Sequence, residues 1–481
     1  MPVLKLSPLG AIRKSLTPAP GLLGSVMLLA ACGGGGSGSD STPAVLAAAL
    51  PDGDHIAFTT TAVTLSEANR HVALTVARTG TGSGLSKVRY SIEAGSAMAG
   101  LDMRDITGEL SWNSGDLTTR IVDIEVFSDI EPENEETFRV VLEAVAGEDT
   151  VRINSAVDFT LTDSPCSASI SGTSARSTVA SAPCYQIPSD LVLSGSGNLT
   201  LAPGTTLIAD AGVAIRIQDS AALNAVGTDI LPIRIQGASR TPGYWRGLEI
   251  TSSNPAQHFS HVIIADSVTG VDIVNDSSFA SLENTWIENS SVAAMRLPIR
   301  LAAGIEESNQ FGRSSGGIEL LAEKVTPEQP VILPGLDTYY RLGQTLLVDG
   351  PLTLDPGVDL RMEEATLIYI SDQGSINAVG TASKPIRVTG AMESPGYWHG
   401  LWFSNSSSQN SRLEYVTVAH GGGNPTRDGN ISISGADTRL HVVNSRIEQS
   451  AGYGMWIDGN IPLVTLESTT FVDNARGDKR R

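Results

Sequence analysis

The 481-residue sequence predicts an all-β protein: an antiparallel β-sandwich over residues 55–163, then a β-solenoid over residues 166–478. Three observations carry this expectation. Charged residues make up only 17% of the chain while glycine occurs 49 times, a composition that favours strands and tight turns over helices. Between His55 and Asp163, short runs of alternating apolar and polar residues are separated by Gly- and Asn-rich turns, which suits a sandwich. Beyond Cys166 the chain resembles itself at a period of 20-odd residues, and such a period is the signature of stacked coils. The balance of 52 acidic against 32 basic residues leaves a formal charge of −20; without a basic stripe, a nucleic-acid partner is excluded. At 41% hydrophobic residues the chain is too apolar to be wholly disordered.

Residues 1–31 carry Lys5, Arg13 and Lys14, an apolar run from Leu22 to Ala31, and a boundary of small residues at Cys32. This is the pattern of a secretory signal, too short to span a bilayer. Leu29-Ala30-Ala31-Cys32 resembles the lipobox of bacterial lipoproteins, which implies lipidation of Cys32 and a membrane partner through that anchor. Residues 32–54 then form a Gly/Ser-rich tether. Gly33 after the cysteine resembles lipoproteins sorted to the outer membrane, so the expected location is the bacterial outer membrane or cell surface. Cys166 and Cys184 are the remaining cysteines. In an oxidising compartment they suit a disulfide closing a short loop; the alternative is two unpaired small residues, and a zinc site would need more ligands nearby.

Strands are expected at Val72–Val76, Val88–Ile92, Ile121–Val126 and Phe138–Leu142. The segment 55–163 holds 18 acidic and 8 basic residues, half of the chain's excess charge. The densest cluster runs from Asp129 to Phe138. Carboxylates gathered at one end of a sandwich either stay solvated or ligate a hard cation such as Ca²⁺. The run Ser66-Glu67, the stretch GSAMAGLD from Gly95 to Asp102, the Gly108-to-Trp112 strand with Gly115-Asp116, and SDIEPENEETF together resemble a Calx-beta domain. The resemblance implies Ca²⁺ as cofactor and, by matching position, Glu67, Asp102, Asp129, Glu133, Glu136 and Asp163 as ligands. Ser128 and Ser164-Pro165 stand where that family usually has further acids, which implies a weaker or partial site.

The stretch Asn198–Leu248 aligns without a gap to Pro351–Leu401, an offset of 153 residues with nearly half the positions identical. Inside it, segments such as Phe259–Ile264, Leu282–Ile287, Leu413–Val418, Val442–Ile447 and Leu466–Phe471 place apolar residues five apart, each followed by a small or polar turn. About 310 residues at this period imply on the order of 13 coils; a leucine-rich repeat would need its own consensus, and a propeller blade about 40 residues. With its PGxxL, NAVGT, PIR and GYWxGL motifs, the segment resembles a right-handed parallel β-helix of the pectin-lyase-like superfamily.

That superfamily includes polysaccharide lyases and hydrolases, which need a base beside a carboxylate-bound cation or paired carboxylates on adjacent coils. The acids of the repeats are dispersed, and no catalytic residue is assigned. His258, His261, His399, His420 and His441 fall in register with outward strand positions and are expected to face solvent. The loop Ala419–Gly429 makes one coil longer and gathers His420, Arg427 and Asp428, either as a plain insertion or as a ligand contact. Tyr244-Trp245 and Tyr397-Trp398 recur identically in both halves, which suits a packing role. The expected function is a cell-surface lipoprotein whose Ca²⁺-binding module presents a β-helix for adhesion, cell communication or contact with a glycan or surface protein. The alternative is a polysaccharide lyase or hydrolase acting through the helix.

Overall fold

In the computed structural model, residues 54–480 are described apart from 68–70, 101, 128–133, 146–150, 154, 163–165, 167, 181, 275–280 and 459–462. Alternation along the N-terminal strands builds two facing sheets. One orders Arg120–Glu125, His71–Thr79, Asp54–Phe58 and Val151–Ile153; the other orders Ala62–Ser66, Ser155–Thr162, Glu136–Ala144, Ser86–Ala94 and Thr107–Trp112. Most pairings are antiparallel, but Asp54–Phe58 runs parallel to Val151–Ile153 and Ala62–Ser66 runs parallel to Ser155–Thr162. The first stretch of chain thus crosses from one sheet to the other. Between the sheets Trp112, Val76, Val88 and Ile124 are fully buried, and Phe138 stacks on Phe159 with ring centroids 4.4 Å apart. Arg78 points inward with them, which the alternation does not foretell. Its terminal nitrogens pair with Asp54 at 2.6 Å and donate to the carbonyls of Asn113 and Ser83, while Nε is buried without a partner.

From Ala168 onward each coil contributes about three short strands, and equivalent strands of successive coils pair in parallel. One face is a continuous sheet of thirteen strands, from Gly172–Ser174 to Thr470–Val472, which marks thirteen coils among the described residues. Parallel register stacks like positions directly above one another. On this face the inward column runs Ile215, Leu248, Val271, Met295, Ile318, Tyr340, Leu360, Val388, Val418 and Ile447, every member essentially buried. The outward neighbours form a second column: Arg216, Glu249, Asp272, Arg296, Glu319, Arg341 and Arg361. Charges that are dispersed in sequence become an ionic ladder, with Arg216–Glu249 at 2.7 Å, Arg296–Asp272 at 2.5 Å and Arg341–Glu319 at 2.7 Å. Half-exposed pairs of this kind add little stability. A slip of one residue would push them into the core, so they fix register.

The five-residue apolar spacing marks a corner. His258–Ser260 and Val262–Ala265 belong to different faces and meet at His261, whose φ is 53°. Asn284 occupies the same vertex in the next coil, and in the second half Tyr415, Asn444 and Ser468 turn the chain into the continuous sheet, all with φ between 47° and 51°. A left-handed residue turns the chain so that both flanking apolar side chains point inward.

The duplicated halves do not sit on matching faces. Thr206–Ala209 lies in a six-stranded sheet beside the continuous one, whereas its counterpart Asp359–Met362 lies in the continuous sheet itself. Between the copies the chain forms a 3₁₀ turn at Ile299–Gly304, and single bridges from Leu282 to Ile305 and from Trp286 to Gln310 end two ladders. The second copy is therefore turned by one face about the solenoid axis.

The sandwich and solenoid belong to one compact unit, Gly53–Arg481. The outer side of the six-stranded face that contains Ile233–Gly237 and Val262–Ala265 is covered by the sandwich. Arg234, Gln236 and Ile263 point outward there and are nonetheless only 3%, 1% and 5% exposed. Glu125 at the end of its sandwich strand accepts from Arg234 Nε and Nη2 at 2.9 and 2.7 Å, and lies 2.8 Å from Arg104 Nε. Arg104 in turn lies over the Trp286 ring at 4.0 Å, and Arg234 over Phe127 at 3.9 Å.

Trp245 and Trp398 are fully buried, and their indole N–H groups donate to the carbonyls of Ala265 and Ala419 at 2.7 and 2.8 Å. The repeated GYWxGL motif is thus a packing and hydrogen-bonding peg between coils. Replacing either tryptophan by alanine is expected to cost about 3–5 kcal/mol. Because each coil contacts only its neighbours, Trp245→Ala and Trp398→Ala should weaken different parts of the denaturation profile, as read by hydrogen exchange.

Candidate functional site

The acidic end of the sandwich is assembled by strand pairing. Ser66 pairs with Thr162 and Glu136 with Leu161, so Glu67 and Glu136 flank the end of the strand Ser155–Thr162. The stretch from Gly95 to Asp102 folds over the same end. Ala97 N–H donates to Thr137 O at 3.0 Å and Thr137 N–H donates to Ser96 Oγ at 2.8 Å. Only glycine fits at position 95, where a Cβ would come within 2.2 Å of Thr137 O. Asp102 closes this loop: its Oδ2 accepts from Met98 N–H at 2.6 Å, and its carbonyl accepts from Phe127 N–H at 2.8 Å. Glu67 and Asp102 are both buried, at 3% and 5% exposure.

Two buried carboxylates with Glu136 at one strand end are the donor chemistry of a hard cation. Among the described residues, no group of three or more His, Cys, Asp or Glu side chains is gathered closely enough to hold a metal ion. Asp129, Glu133 and Asp163, the other expected ligands, lie outside the described residues, as does Cys32. Cys166 and Cys184 are joined in a disulfide with their Cα atoms 5.3 Å apart.

The loop Ala419–Gly429 lies against the solenoid. His420 does not face solvent as its register suggests: it is 4% exposed, and its Nε2 is 2.7 Å from Gln449 Oε1. The reason is its backbone. With φ at 64° it occupies the left-handed turn that Asp266 and Asn289 occupy in the other half, where the side chain bonds to the next coil. Of the other histidines His441 is exposed, and His258, His261 and His399 are partly exposed. Asp428 is 8% exposed and paired with Arg476 at 2.5 Å.

Arg427 reaches outward instead, over the ring of Trp402 at 4.0 Å and that of Trp456 at 5.8 Å. Register stacks Tyr369, Trp402, Ser432 and Trp456 in one column; Tyr369 and Trp402 are partly exposed and in edge contact at 4.8 Å, whereas Ser432 and Trp456 are buried. Sequence spacing missed this column because its members lie 24 to 33 residues apart. Tyr397, beside Trp398, donates its hydroxyl to Glu363 at 3.0 Å; partial burial and that carboxylate push the phenol above its ordinary range.

Among the described residues, carboxylates converge on the continuous face of the solenoid. Glu249, Asp272 and Glu319 line a groove of about 250 Å³ together with Arg246 and Arg296. Each of the three is held by an arginine of the ionic ladder, which is how a structural ladder uses its acids.

Residues 51–164 match the family model of the Calx-beta domain. Among solved structures, the apo-form Calx CBD1 domain is 24% identical over 24% of this chain and 99% of its own, with a TM-score of 0.22. CBD12 from CALX1.2 is 23% identical over 26% of this chain and 52% of its own, also with a TM-score of 0.22. The calcium binding domain CBD12 of CALX1.1 is 22% identical over 26% and 51%, with a TM-score of 0.21. The chain thus spans about half the length of these CBD12 structures. No curated protein matches the chain. The sandwich at residues 51–164 is accordingly a segment of the Calx-beta type, and the parallel coils that follow lie outside that match.

Proposed function

We propose that this protein is an exported bacterial lipoprotein, anchored through Cys32, in which a Ca²⁺-binding Calx-beta module is fixed against a β-helix of the pectin-lyase-like type that displays a glycan-binding surface without catalysing its cleavage. The observation that carries the display reading is the partly exposed pair Tyr369 and Trp402 on the outer side of one face, with Arg427 laid over the Trp402 ring. Aromatic faces and a guanidinium suit the C–H faces and hydroxyls of sugars. The engagement of Glu249, Asp272 and Glu319 by arginines supports binding over hydrolysis, which needs one carboxyl free to give up its proton.

Calcium binding is supported by the family match and by Glu67 and Asp102, whose burial suits oxygen donors to a cation. Glu67, Asp102 and Glu136 would contribute from the strand end and the Gly95–Asp102 loop, and the ligand set would be completed by Asp129, Glu133 and Asp163. Bound there, Ca²⁺ would supply positive charge that joins these segments.

Calorimetry on the soluble chain lacking residues 1–32 tests the calcium reading. At free Ca²⁺ about a hundredfold above its Kd, the sandwich gains about 2.7 kcal/mol, and its melting temperature rises. The rise should be lost in the variant Glu67→Gln/Asp102→Asn; no rise in the parent, or an equal rise in the variant, overturns the assignment. For the anchor, Cys32→Ser in the full chain should abolish incorporation of labelled palmitate and move the protein from the membrane fraction to the soluble one. Unchanged labelling would refute lipidation at that residue.

A further inference from the structure

Where the sandwich meets the solenoid there is a cavity of about 520 Å³, the size of a small-ligand site. In a chain of net charge −20 its wall holds four arginines, Arg104, Arg234, Arg240 and Arg313. Arg234 is spent on Glu125. Arg104 uses only its Nε on Glu125, and among the described residues its two terminal nitrogens make no hydrogen bond. Its guanidinium plane is held by the Trp286 ring at 4.0 Å. Arg313 stands at the rim, its side chain 84% exposed and 3.6 Å from Glu288.

The floor is Asp266, 1% exposed and fixed by its left-handed turn, φ 66°. Its Oδ1 accepts from Asn289 Nδ2 at 2.7 Å; its Oδ2 is buried without a hydrogen bond, with Arg240 Nη1 3.5 Å away. A buried carboxylate oxygen left so is costly unless a donor reaches it. Burial pushes this carboxyl above the ordinary carboxylate range, as expected of an acid short of donors. With Arg234 spent on Glu125, the acids Asp105, Asp266 and Glu288 match the other three arginines of the wall in number, so the two charges of a phosphate are disfavoured relative to one.

We propose that this cavity binds a small polyhydroxylated carboxylate, about one or two sugar-acid units in size, with its carboxylate on the free nitrogens of Arg104 and on Arg313 and a hydroxyl donated to Asp266 Oδ2. A planar guanidinium pairs well with a carboxylate, the aromatic rings of Trp286 and Phe127 offer apolar contact, and the lone acceptor of Asp266 asks for a hydroxyl. The site uses both domains, so it exists only while they are docked; it is separate from the Trp402 column, and it borders the Gly95–Asp102 loop through Ala99 and Gly100.

The test is calorimetric titration of the soluble chain lacking residues 1–32 with sodium D-glucuronate, with glucose, acetate and inorganic phosphate as comparators. Glucuronate should bind at least tenfold more tightly than any comparator. Asp266→Asn should weaken it about tenfold, and Arg313→Gln, an exposed change that leaves folding intact, at least threefold. Trp402→Ala should leave it unchanged, which separates this site from the display surface. Absence of glucuronate binding, equal affinity for phosphate, or undiminished affinity in Arg313→Gln overturns the proposal.

Discussion

A single buried carboxylate decides whether this molecule is one body or two. Glu125 is 6% exposed and is shared between Arg104 of its own domain and Arg234 of the solenoid. Burial alone would raise its carboxyl; Arg234 and Arg104 outweigh burial and hold it below 4.5, the ordinary value. Removing one partner from such a triad leaves uncompensated buried charge, at a cost of about 3–5 kcal/mol. The covered face of the solenoid and the junction cavity both follow from this docking. So does the placement of the acidic strand end: Phe127, two residues after Glu125, packs under Arg234 and bonds to Asp102.

The solenoid depends on a different constraint. Its backbone groups find partners only in the coils above and below, so every coil must present strands at the same heights. Left-handed residues such as His261, Asn284 and Asn444 turn recurrent corners, and the ionic ladder resists slippage. The rotated second copy shows how far this regularity reaches. A duplicated stretch keeps its strands and corners while exchanging one face for the next, because the continuous sheet accepts any strand of matching register.

Much of the fold was legible in the sequence. The self-similarity announced stacked coils, the alternation announced a sandwich, and the repeated Tyr-Trp pair announced a packing role that Trp245 and Trp398 fill. What could not be read was which position meets which neighbour. Arg234 and Arg387 stand in the same Pro-Ile-Arg motif, yet one is buried under the sandwich and the other exposed. His420 has the register of an outward residue, but its φ sends it into the next turn. Glu67 and Asp102 could be picked from their motifs; strand pairing places Glu67 at the end of one strand, and the loop that Asp102 closes is tied to Thr137 beside it. The Trp402 column and the junction arginines needed three dimensions, because their members are tens of residues apart and only stacking or docking joins them.

The docked sandwich is the claim from which the rest follows, and small-angle X-ray scattering with calorimetry tests it on the soluble chain lacking residues 1–32. Glu125→Ala should enlarge the maximum dimension and let the sandwich melt as a separate, earlier transition. In the parent the carboxylate is held down in the folded state, so its stabilisation is complete above the unfolded value near 4.5 and is lost as pH falls through the lower folded value. The same enlargement should therefore appear in acid. A Glu125→Ala protein with unchanged dimensions and an unchanged melting profile would contradict the account.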